Sequence, residues 1–212
     1  MRVVKAQIYN TLKNWSTWII MLIFLWVQIS NIMDQENVKM SLFERNLIFF
    51  RIGNAEICAI IFLIISMGKY LKNNFIKNIR WLYEKKERIV LVNTGITLIF
   101  FVALYVLNFI FDIIFHFSQE QKLGSKESLG ELLSYFCIIA MVVLFTSMVL
   151  IITKSQLLAF ILGYVALMGK DFIFRQVKIE SDMLRNILVS VLISIILCVI
   201  NRLIAKKIYS VV

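Results

Sequence analysis

The chain has 212 residues, 60% hydrophobic and 17% charged, and its mean hydropathy of +0.84 exceeds what a soluble domain can hide in a core. Its formal net charge of +10 does not point to nucleic acid, because the basic residues fall mostly between apolar blocks, where they set topology and meet anionic lipid. The expected class is an all-α integral membrane protein. Cys58, Cys137 and Cys198 all fall inside apolar blocks without metal-ligand spacing, which excludes a disulfide framework or a zinc site. With no proline in the chain, the spans are expected to run largely unkinked.

Residues 1–15 place Arg2, Lys5, Tyr9 and Lys13 along one helical face and Val4, Ile8, Leu12 and Trp15 along another, the pattern of an amphipathic interfacial helix. A first span is expected at 15–32; it follows a basic start but has no small-residue cleavage site, so it is read as uncleaved. Residues 34–46 balance Asp34, Glu36 and Glu44 against Lys39 and Arg45 and are expected to form an outer loop. A second span is expected at 47–67, a third at 89–117, an outer loop at 118–130, a fourth span at 131–153, a fifth at 155–174 and a sixth at 186–204. The apolar run 157–168 is short, so the fifth span must borrow residues up to Phe174, and 170–185 suggests a partly buried, re-entrant outer excursion.

Between the second and third spans lies the longest polar interval, 69–93. It holds Lys69, Lys72, Lys77, Arg80, Lys85, Lys86 and Arg88 against Glu84 and Glu87. So basic a loop belongs on the cytoplasmic side. Fourteen basic residues then lie inside against seven in outer loops, which puts both termini in the cytoplasm. A helix near 75–83 gathers Phe75, Ile79 and Leu82 on one face with Lys77 and Arg80 roughly opposite. Such a helix either rests on lipid headgroups or docks on another protein.

No G-x-x-x-x-G-K-[ST] loop is present, so ATP is not held by that route, and neither an H-E-x-x-H pair nor a credible partner for the single histidine, His116, supplies a catalytic site. The chain is expected not to be an enzyme, with no catalytic or metal-binding residues. The polar residues expected within the membrane are Arg51, Asn54, Glu56, Asn108 and Asp112. Arg51 and Asp112 sit at similar depth and are expected to pair; Glu56 lies deeper and should be protonated or hydrogen-bonded, with Asn108 its candidate partner. These residues serve either as interhelical clamps or as a substrate lining. Ser190, Ser194 and Asn201 on the last span are expected to let helices approach closely.

The segment GKYLKNNFIKNIRWLYEKKERIVLVN, Gly68 to Asn93, and the plan of an N-terminal amphipathic helix, six spans and one sizeable inner loop resemble the membrane subunit of type-2 ABC transporters. The likeness covers nearly the whole chain, and the short chain and outer loops look most like permeases that export or expel bacteriocins, lantibiotics or other amphipathic peptides. It implies that residues 74–83 form the coupling helix, with Phe75, Lys77, Ile79, Arg80 and Leu82 meeting an ATP-binding subunit. It also implies two copies of that subunit holding ATP and Mg, a second permease copy or homologue, and a bacterial plasma membrane. The alternative is a membrane scaffold or immunity protein that acts by binding alone.

Overall fold

A computed structural model describes residues 2–34, 41–52, 54–72, 87–115, 126–176 and 183–210. Every described element is helical: α1 (Arg2–Lys13), α2 (Trp15–Asp34), α3 (Leu42–Ile52), α4 (Asn54–Lys72), α5 (Glu87–Phe115), α6 (Lys126–Thr153), α7 (Gln156–Gln176) and α8 (Met183–Ser210). Three stretches are long and apolar enough to cross a membrane, Val90–Ile114, Leu129–Thr153 and Ile187–Ile208. Shorter apolar stretches occupy Trp15–Val27, Glu56–Gly68 and Gln156–Gly169. The chain is therefore an all-helical membrane protein.

Helix α6 is the hub and packs on α3, α4, α5, α7 and α8. Its inner residues Ile139, Val142, Val143, Leu150 and Ile151 are all but inaccessible and join one core with Leu63 and Met67 of α4 and Phe101 and Leu104 of α5. Aromatic rings pack within this core and in a smaller cluster beside it, where Phe62 lies with Ile20 and Ile96. Phe62 stacks on Phe100 at 4.0 Å between centroids, and Phe136 meets Phe101 and Tyr105 edge-on at 5.7 and 4.7 Å, geometries that add to area burial.

These contacts also give the directions of the helices. Phe136 opposite Phe101 and Ser147 opposite Thr94 make α5 and α6 antiparallel, whereas Ile138 against Val189 and Leu144 against Asn201 make α6 and α8 parallel. Between α6 and α7 the chain reverses in two residues. Lys154 takes a left-handed conformation, φ 54°, its N–H still donating to Leu150 O at 3.0 Å, and Ser155 Oγ then accepts from Leu158 N–H at the start of α7. The reversal lets α7 lie close on α6, where Gly163 leaves room for Thr146: a Cβ at Gly163 would lie 2.5 Å from Thr146 Oγ1.

Several boundaries differ from the sequence reading. The expected outer loop at 34–46 is helical at both ends, since α2 includes Asp34 and α3 starts at Leu42. The predicted second span falls on two helices, α3 and α4, either side of position 53, which lies outside the described residues. Helix α6 begins at Lys126, inside the loop expected at 118–130, because K-E-S-L-G-E-L-L continues the helical pattern of the span behind it. Residues 170–176 extend α7 and residues 183–185 open α8, so the re-entrant excursion expected at 170–185 is helical over these stretches; 177–182 lie outside the described residues.

Candidate functional site

The sequence S-L-F-E at positions 41–44 forms a reciprocal cap. Glu44 N–H donates to Ser41 Oγ at 3.4 Å, and Ser41 N–H donates to Glu44 Oε2 at 2.9 Å, which satisfies two otherwise orphan amides. Ser41 holds the exposed Glu44 carboxyl below its ordinary pKa, through its backbone N–H first and its hydroxyl second. Starting the helix here sets its register: Leu42, Arg45 and Asn46, at i, i+3 and i+4, share the face turned into the bundle and are all buried.

On α5 the same helical spacing puts Asn108 and Asp112 on its inner face, in line with Phe101, Leu104 and Tyr105. The two faces meet in a chain of polar contacts. Arg45 Nε lies 3.0 Å from Asp112 Oδ1 and 3.3 Å from Oδ2; Asn46 Nδ2 donates to Asp112 Oδ2 at 3.1 Å and to Leu42 O at 2.8 Å; Asn108 Nδ2 donates to Asn46 Oδ1 at 2.6 Å. All four side chains are at most 7% exposed. A buried carboxylate is tolerated here because a guanidinium and an amide both point at it. Among the described residues, no donor reaches Asn108 Oδ1.

This arrangement adds a partner to one expected pairing and corrects another. Asp112 pairs with Arg45, assigned from sequence to an outer loop; the side chain of Arg51, its expected partner, lies outside the described ones. Asn108 donates to Asn46 and not to Glu56. Glu56 is buried at 1% exposure on α4, on the face it shares with Ile60, Leu63 and Met67. The Asn54 side chain lies outside the described ones. Sequence reasoning missed Arg45 and Asn46, although S-x-x-E followed by an i, i+3, i+4 set was the available signal.

A second polar layer lies beyond the aromatic rings. Thr94 Oγ1 and Ser147 Oγ are 2.9 Å apart, Ser147 Oγ lies 3.8 Å from Met67 Sδ, and Gln156 of α7 reaches Ile64 O at 3.5 Å. Asn93 and Thr97 are buried on the same side of α5, Thr97 Oγ1 donating to Asn93 O at 3.0 Å. The polar stripe of α8 faces α6: Asn201 Nδ2 donates to Leu144 O at 2.9 Å and Ser190 is fully buried, in keeping with close helix approach.

The expected docking residues Phe75, Lys77, Ile79, Arg80 and Leu82 lie outside the described residues. Among the described residues, no group of three or more His, Cys, Asp or Glu side chains is placed to hold a metal. The geometry suits holding helices in register and offering scattered hydrogen-bonding groups along the bundle. Comparison of the chain with protein-family models, with curated proteins and with solved structures gave no match.

Proposed function

We propose that this membrane protein is the membrane-spanning permease subunit of an ABC transporter of the type-2 class. In this reading it exports or expels an amphipathic or hydrophobic substrate, a peptide in the first instance, and a separate subunit hydrolyses ATP. All six apolar stretches cross the bilayer and both termini are cytoplasmic, the membrane being that of a bacterial cell. The resemblance between residues 68–93 and the coupling region of that family supports the reading, and so does the alternation of α5 to α8.

The observation that carries it is the basic character of one end of the bundle. Phe62 against Phe100, with Met67 and Thr94 both at Ser147, makes α4 and α5 antiparallel, so α4 ends and α5 starts at the same end as the 154–155 reversal and the basic tail of α8, Arg202, Lys206 and Lys207. One end of the bundle thus gathers cationic connections, the signature of a cytoplasmic side. There, Phe75, Ile79 and Leu82 supply an apolar face for an ATP-binding partner, with Lys77 and Arg80 at its rim. Two ATP-binding subunits, each with ATP and Mg, and a second permease copy or homologue complete the assembly.

The competing reading is a scaffold or immunity protein that works by binding alone. Affinity purification of the chain from its native membrane separates the two. Recovery of a subunit bearing a phosphate loop, with ATPase activity in the complex, supports the permease; recovery of the chain with no ATPase across mild detergents favours the scaffold.

A further inference from the structure

Helix α1 meets α2 at a corner that two side chains hold closed. Where α1 ends, its carbonyls lose their helical donors. Thr17 Oγ1 donates to Thr11 O at 2.7 Å and Trp18 Nε1 donates to Leu12 O at 2.8 Å, while the Asn14 and Thr17 amides donate to Thr11 O and Asn14 O at 3.2 and 3.0 Å. Thr17 is itself buried and continues into Ile20 and Phe24, the inner face of α2. The corner is therefore a bracket anchored in the bundle.

The bracket holds α1 with its apolar stripe uncovered. Val4, Ile8 and Leu12 are 39%, 40% and 52% exposed, and Trp15 at the corner is 82% exposed. Beside them Lys5 and Lys13 are exposed, with Lys13 Nζ 5.8 Å from the centre of the Tyr9 ring. No acidic residue occurs in the chain before Asp34. A cationic edge beside an apolar stripe with tryptophan at the boundary matches an anionic lipid surface, with phosphates toward the lysines and acyl chains toward the stripe.

We infer that α1 and Trp15 form a binding surface for anionic phospholipid headgroups, held by the Thr17 and Trp18 bracket so that stripe and lysines reach the bilayer together. The inference rests on the chain being a membrane protein and not on its being a permease. Each basic residue at such a surface raises lipid affinity about fivefold, so the two lysines together contribute roughly twenty-five-fold.

The test uses the full chain carrying Trp26→Phe and Trp81→Phe, which leaves Trp15 and Trp18 as fluorophores. It is reconstituted in phosphatidylcholine vesicles with either brominated phosphatidylglycerol or brominated phosphatidylcholine at equal mole fraction. The expected result is stronger quenching by the brominated phosphatidylglycerol, a preference that disappears in Lys5→Gln/Lys13→Gln and weakens in high salt. Equal quenching by the two lipids overturns the inference, as does a preference that survives loss of both lysines. Quenching by neither lipid, in protein that resists carbonate extraction, overturns it by showing the stripe covered by protein. Extraction of the chain by carbonate would instead overturn the membrane reading itself.

Discussion

Arg45 and Asp112 form an ion pair, Nε to Oδ1 at 3.0 Å, across 67 residues of sequence and with both side chains nearly inaccessible. The pair fastens the short helix α3 to the far end of α5. Breaking a buried pair by removing one member costs about 3–5 kcal/mol, whereas removing both charges together is often close to neutral. Arg45→Met and Asp112→Leu are each expected to lower thermal stability in detergent sharply, and the double variant to recover most of the loss. Additive losses in the cycle would deny the coupling.

Gly163 and Thr146 make a second test, of the α6–α7 contact. A Cβ at Gly163 meets Thr146 Oγ1 at 2.5 Å, and that hydroxyl is itself held by Val142 O at 2.8 Å. Gly163→Ala is expected to cost about 1–3 kcal/mol through overpacking, and Thr146→Ala in the same chain to relieve most of it. Gly95→Ala is the contrast: nothing lies within 4 Å of its Cβ position, so the gain in helix propensity should leave stability unchanged or raised by up to about 1 kcal/mol. Melting temperatures of the four proteins decide the matter.

The cap on α3 carries a pH dependence. The Glu44 carboxyl titrates below its ordinary value because Ser41 donates to the charged form. The contribution of the cap is therefore complete above the ordinary carboxylate range and is lost as pH falls through the lowered value. Carboxyl-carbon NMR should show Glu44 titrating lower than an unstructured glutamate, and Ser41→Ala should move it upward by removing the hydroxyl while leaving the backbone donor. A Glu44 titration unmoved by Ser41→Ala would show that the hydroxyl plays no part.

The proposed coupling helix yields a binding test. If Ile79 fills a pocket in an ATP-binding subunit, Ile79→Asp removes an anchor worth on the order of 2 kcal/mol and lowers partner recovery more than tenfold. Lys77→Ala, at the rim, should chiefly change salt sensitivity. Pull-down and ATPase activity in detergent, where no bilayer surface competes, are the measurements. Unchanged recovery in Ile79→Asp would take the docking role away from this face.

Class and the places of the apolar stretches were legible in the sequence, because burial in lipid demands length and apolarity that nothing else in a chain of this size explains. The short link after Thr153, the close-packing stripe on the last helix and the extension of the fifth stretch toward Phe174 could likewise be read locally. Partnership within the bundle could not. Arg45 read as an outer-loop charge, because local composition says nothing of the direction in which a side chain points. The Ser41 cap starts α3 early enough to carry Arg45 and Asn46 inward, and the antiparallel packing of α5 brings Asp112 and Asn108 to meet them. Local composition thus determined which segments are helical and apolar. Only the tertiary structure decided which charges are paired, because pairing depends on helix register and rotation, and these are set by contacts between residues far apart in the chain.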